Sequence, residues 1–91
     1  MTHNVTDHQE KSRFELDIDG QIVFADYRVN GDTVFINYVE SPVALRGTGA
    51  AGKLMEGITA IAREKGQKLH PICGYAVTWL QRHKEYRDLI A

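Results

Sequence analysis

The chain has 91 residues, enough for one domain, and a chain of this size buries roughly 60–65 % of its unfolded surface on folding. Its 43 % hydrophobic and 25 % charged residues suit a soluble globular domain, and 11 basic against 12 acidic side chains (net charge −1) lack the basic excess of a nucleic-acid module. No apolar run approaches the ~20 residues of a membrane span and no signal-peptide pattern opens the chain; with a single cysteine there is no internal disulfide and no thiolate-rich zinc site, so a reducing, cytoplasmic setting is the expectation.

Residues 1–12 carry Val5 as the only aliphatic side chain after the initiator methionine, and are expected to form a flexible tail ahead of a compact domain over 13–91. Arg13-Phe14-Glu15-Leu16-Asp17-Ile18-Asp19 alternates apolar and polar, which predicts a strand with one face on a core and one in water. Asp19-Gly20 reads as a hairpin turn into a second strand, about Gln21 to Val29, with Val23, Ala25, Tyr27 and Val29 on one side. After the turn Asn30-Gly31-Asp32 a third strand, Thr33 to Glu40, is apolar on both faces and is placed centrally. Together these three form an antiparallel meander.

Ser41-Pro42 ends the meander, and the helical spacing of Leu54, Met55, Ile58, Ile61 and Ala62 predicts a main helix from about Thr48 to Lys65. Gly57 inside it costs up to about 1 kcal/mol relative to alanine, and Gly66 stands just past the end, where glycine closes helices. Lys68–Ile72 is a short strand parallel to the third, reached by the helical crossover. A second helix, about Gly74 to His83, points Ala76, Val77 and Leu80 inward, and a polar tail with Tyr86, Leu89 and Ile90 follows. The fold class is α+β, a single sandwich with no repeat or linker.

The stretch from Val43 to Lys53 joins the third strand to the main helix through small residues. The first N–H groups of a helix have no internal partner and carry partial positive charge, so glycine and alanine there let a phosphate come close. Gly47, Gly49 and Gly52 spell G-x-G-x-x-G by letter only, after several strands rather than one. A triphosphatase P-loop needs a hydroxyl after its lysine, and Leu54 stands there after Lys53. What fits is Arg46-x-x-Gly49-x-Ala51, the pattern R/Q-x-x-G-x-G/A; alone it is equally a glycine-rich loop capping an ordinary helix.

That pattern resembles the pyrophosphate-binding motif of the GNAT superfamily of acetyl-CoA-dependent N-acetyltransferases. From Phe14 to Leu89 the chain looks like its small single-domain YjdJ-like branch. The likeness rests on Glu40-Ser41-Pro42, on Leu45 to Ala51, and on the block from His70-Pro71-Ile72-Cys73-Gly74-Tyr75 through Trp79 to His83-Lys84-Glu85-Tyr86. Lys84 occupies the position of the branch's second proline. The resemblance implies a minimal GNAT-like fold with acetyl-CoA as co-substrate and its pyrophosphate on Arg46, Gly47, Thr48, Gly49, Ala50 and Ala51, with the Arg46 guanidinium or the Lys53 ammonium adding charge at the rim. It also implies a pantetheine arm between splayed strands, Phe35–Glu40 (with Val39) and Leu69–Ile72, and a thioester ending beside Cys73. The acceptor would be a primary amine, a protein lysine or a small polyamine-like molecule. The substrate-covering N-terminal helices of longer members have no counterpart, so acceptor identity stays open. No nucleic-acid or membrane partner is expected, and the chain is expected to be a monomer or weak dimer.

Cys73 has two readings: a small buried hydrophobe, or a reactive thiol at the head of the second helix, where a thiolate is favoured and could carry the acetyl group. In direct transfer, Cys73 or Tyr75 is the candidate acid, and Glu40 (through water) or His70 the candidate base. Tyr75 is equally a packing residue, and Tyr75 with Trp79 forms an aromatic pair that belongs to the core or lines an acceptor pocket. Arg82 and His83 favour the negative end of their helix or contact the adenosine 3′-phosphate. His3, His8 and His83 show no spacing that would complete a metal site with His70 and Cys73, so no metal is expected. The rival to an enzyme is a non-catalytic CoA or acyl-CoA binding module, a sensor or carrier.

Overall fold

The computed structural model describes residues 4–91 and runs β1 (Val5–His8), β2 (Arg13–Ile18), β3 (Gln21–Asn30), β4 (Thr33–Glu40), α1 (Ala50–Lys65), β5 (Lys68–Pro71) and α2 (Gly74–Arg82). Short 3₁₀ turns cover Gln9–Lys11, Val43–Leu45 and Lys84–Leu89. The strands form one sheet in the order β1-β2-β3-β4-β5, antiparallel through β4 and parallel between β4 and β5. This is the α+β arrangement of meander, crossover helix and short parallel strand expected from the sequence.

Local chemistry explains the turns. Asp19 (φ 53°) and Gly20 (φ 84°) both take the left-handed conformation that a two-residue hairpin needs, and the Gly20 N–H donates to the Asp17 carboxylate at 2.7 Å. Gly66 (φ 70°) closes α1, with the N–H of Gln67 reaching back to the Ala62 carbonyl at 2.8 Å.

The core lies between one face of the sheet and the two helices. From the sheet come Phe14, Leu16, Val23, Ala25, Val34, Ile36 and Leu69; from α1 come Leu54, Met55, Ile58, Ile61 and Ala62. Ala76, Trp79 and Leu80 of α2 join them, so the Trp79 ring is part of the core. The opposite sheet face has no helix on it. There Arg13 lies over the Phe24 ring at 3.9 Å while its Nε donates to Asp26 at 2.7 Å, and Phe35 meets His70 at 5.1 Å.

One irregularity shapes the end of β4. Tyr27 pairs with Ile36 but Asp26 pairs with Tyr38, which leaves Asn37 as an extra residue in a β-bulge. The bulge shifts the alternation by one. Before it, Val34 and Ile36 face the core; after it, Val39 packs inward and Tyr38 turns to the open face beside Phe24.

Three expectations are corrected. The segment from residue 4 to 12 is not a tail: β1 pairs with β2 from Val5↔Leu16 to His8↔Arg13, and Val5 is buried. The Asp7 carboxylate accepts from the Tyr27 hydroxyl at 2.5 Å and from Lys65 Nζ at 2.9 Å, tying the strand to partners far along the chain. Residues 1–3 of the expected tail lie outside the described residues. Val29 is exposed, because β3 runs past the end of its pairing with β2 at Asp26. The main helix starts at Ala50 rather than Thr48, since Gly47 (φ 82°) and Gly49 (φ 84°) both hold left-handed backbone that no helix admits.

Candidate functional site

Between β4 and α1 the backbone turns twice. The 3₁₀ turn at Val43–Leu45 is closed by Leu45 N–H to the Pro42 carbonyl at 2.9 Å and Arg46 N–H to that of Val43 at 3.2 Å. Thr48 N–H and Oγ1 both donate to the Leu45 carbonyl, at 3.2 and 2.5 Å. Gly49 then caps α1, and the first intrahelical bond runs from Lys53 N–H to the Gly49 carbonyl at 3.1 Å. The N–H groups of Gly47, Gly49, Ala50, Ala51 and Gly52 are left without an acceptor among the described residues. These donors at the positive end of a 16-residue helix are the groups an anion would take. Gly47 and Gly49 are exposed, Ala51 and Gly52 half-buried and Ala50 buried.

The side chains expected to help are arranged unevenly. Arg46 is exposed and its Nε lies 3.4 Å from the Ser41 carbonyl, at the edge of the turn. Lys53 instead lines an open cleft of about 860 Å³ between the β2–β3 hairpin and α1, with Asp17, Asp19, Glu56 and Arg63. None of residues 41–52 lines that cleft, whose lining mixes acidic and basic side chains. Arg82 is exposed on the last turn of α2. His83 Nδ1 lies 2.8 Å from the Trp79 carbonyl and so serves the end of α2.

The second half of the site is the gap between β4 and β5. Their pairing runs from Thr33↔Lys68 to Ile36↔Pro71 and stops there. The Ile36 carbonyl accepts both the Ile72 and Cys73 N–H groups, at 2.9 and 3.1 Å, which turns the chain away into α2. Asn37 to Glu40 continue beside β3 with no β5 partner, so a strand edge is open next to the head of α2. Val39 lies on this stretch with its side chain on the core.

Cys73 is the N-cap of α2, half-buried and packed against the core edge. Across the gap, the exposed Tyr38 hydroxyl donates to the Glu40 carboxylate. That hydrogen bond, then the carboxylate's charge, holds the Tyr38 phenol above its ordinary value; nearby Cys73 adds to the effect and Arg46 opposes it. Tyr38, Glu40, Cys73 and Arg46 therefore form one neighbourhood. Burial raises Tyr75 on the first turn of α2. His70 stands apart: its ring rests on Phe35 on the open sheet face, and no contact joins it to Glu40 or Cys73 among the described residues. Periodicity could not single out Tyr38, because the bulge that exposes it is invisible to a period-two reading.

The structure thus offers a set of main-chain donors at the head of α1 and an open strand edge beside Cys73. A family model described as GCN5-related N-acetyl-transferase matches residues 13–89. No curated protein matches the chain. Among solved structures it is similar to the NMR solution structure of a GCN5-like protein of Staphylococcus aureus, itself assigned only provisionally as an N-acetyltransferase. The TM-score is 0.69 over all of this chain and 91 % of that one, at 21 % identity, a likeness of fold. The chain is an acyltransferase that belongs to the GCN5-related N-acetyltransferase family.

Proposed function

We propose that the protein is an acetyl-CoA-dependent N-acetyltransferase of the small YjdJ-like type, moving acetyl to a primary amine on a protein lysine or a small molecule. The observation that carries this reading is the set of unpaired main-chain donors of Gly47 and Gly49 to Gly52 at the head of α1. They would hold the diphosphate, with the exposed Arg46 at the rim. The free edge of Asn37–Glu40 would hydrogen-bond the pantetheine amides. Acetyl-CoA supplies the acyl group already activated as a thioester.

The chain's own groups then manage protons. Glu40 is the base for the incoming ammonium, acting through water, and the Tyr38 hydroxyl keeps its carboxylate oriented. Cys73, at the head of α2, returns a proton to the departing sulfur. The acceptor approaches from the sheet face that carries no helix, where Tyr38 is exposed.

The test is release of free CoA thiol from acetyl-CoA across a panel of amines and lysine peptides. Wild type should turn over, and Glu40→Gln and Cys73→Ala should be slowed at least about tenfold. Mass spectrometry of the intact protein after acetyl-CoA alone separates the routes: an adduct absent in Cys73→Ala would place the acyl group on Cys73. Tight CoA binding with no transfer to any amine would favour a sensor or carrier and defeat the enzyme reading.

A further inference from the structure

Trp79 is the only tryptophan of the chain. Its side chain is 7 % exposed, stacked on His83 with ring centroids 4.0 Å apart and on Tyr86 at 5.4 Å. A buried indole N–H normally has a partner, because an unmade hydrogen bond there forfeits the hydration it had in the unfolded chain. Among the described residues Trp79 Nε1 has none. Among the described residues no fully buried side-chain nitrogen or oxygen lacks a partner, so Nε1 keeps some exposure.

The first turn of α1 lies beside it. A Cβ built at Gly52 would come 3.3 Å from Trp79 Nε1 and 3.8 Å from the Tyr75 hydroxyl. Two side-chain donors of α2 thus converge on the turn whose own N–H groups are free. Any larger residue at 52 would fill the gap between them. The stacking on His83 and Tyr86 holds the indole in place before any ligand arrives.

We infer that the Trp79 indole N–H, with the Tyr75 hydroxyl beside it, is a further CoA-binding element: it extends the main-chain cradle across to α2 and donates to an acceptor oxygen of the diphosphate or of the pantoyl group next to it. This rests on the CoA reading above. It also gives Gly52 a function distinct from that of Gly49: the first leaves room for a donor, the second shapes the backbone.

With one tryptophan, the indole N–H gives a single resonance in a ¹⁵N-labelled sample. On titration with CoA, that signal should move together with the amides of Gly49 to Gly52. ADP and pantetheine as separate probes identify the acceptor: a response to ADP assigns a phosphate oxygen, and a response to pantetheine alone assigns the pantoyl group. Trp79→Phe, with its fold checked by circular dichroism, should weaken CoA binding about tenfold or more. An indole signal that stays fixed while the 49–52 amides shift, or a folded Trp79→Phe with wild-type affinity, overturns the inference and leaves the CoA reading standing. If neither set of signals responds to CoA, both fall.

Discussion

Gly49→Ala isolates the backbone geometry on which the cradle depends. Gly49 caps α1 at φ 84° and ψ 10°, and a Cβ added there would meet nothing within 4 Å. The substitution therefore creates no clash, and its cost is local: about 1–2 kcal/mol for a left-handed L-residue, increased slightly by alanine's weakness as an N-cap. In a domain of this size each kcal/mol lowers Tm by about 4–8 °C. Gly74→Ala is the matched control, since Gly74 opens α2 in open space without a positive φ. There alanine should be neutral or should stabilise by up to about 1 kcal/mol. Urea unfolding followed by circular dichroism measures both, and CoA titration of the same samples should show weaker binding for Gly49→Ala. Equal stability of wild type and Gly49→Ala would mean that the left-handed cap, and the donor array it aims, is not present in solution.

Other outcomes follow from single contacts. Asp7→Ala leaves the buried Tyr27 hydroxyl without its acceptor and should cost about 1–3 kcal/mol in chemical denaturation, with a larger loss when residues 1–8 are deleted and Val5 goes too. Burial first, then the bond to Asp7, raises the Tyr27 phenol well above its ordinary value near 10. The folded state therefore holds that proton more tightly than the unfolded chain: the associated stability is complete below about pH 10 and is lost as pH climbs above it. Tyr27→Phe should flatten this alkaline decline in a pH series of unfolding curves. Leu54→Ala removes a fully buried side chain from the centre of α1 and should cost about 2–5 kcal/mol. Tyr38→Phe, at an exposed position, should leave Tm nearly unchanged while lowering kcat about tenfold or more; an unchanged kcat would remove Tyr38 from the proposed chemistry.

The parts of the fold legible in the sequence are those set by short-range rules. Alternation gave the inward faces of β2 and β3, the glycines at 20 and 66 marked a hairpin and a helix end, and the 3.6-residue spacing of Leu54, Met55, Ile58, Ile61 and Ala62 gave the buried face of α1. Three features depended on distant partners and left no local trace. β1 has one apolar residue worth burying, and its place is held by register with β2 and by Asp7 meeting Tyr27 and Lys65. The bulge at Asn37 inserts one residue in the middle of an apolar run, so alternation alone puts Tyr38 on the wrong face. Trp79 reads from its spacing as core or pocket wall; only the folded chain shows that the ring is core while its nitrogen lies beside Gly52. The loop itself was legible as a pattern, but which of its N–H groups are free follows from hydrogen bonds that only the folded turn defines.

The most direct test of the central claim is a crystal structure of the protein grown with CoA. The account predicts diphosphate oxygens within about 3 Å of main-chain nitrogens between Gly47 and Gly52, with the arm running along Asn37–Glu40 and its sulfur beside Cys73. A diphosphate found elsewhere, for instance on Lys53 and Arg63 in the cleft under the β2–β3 hairpin, would contradict it.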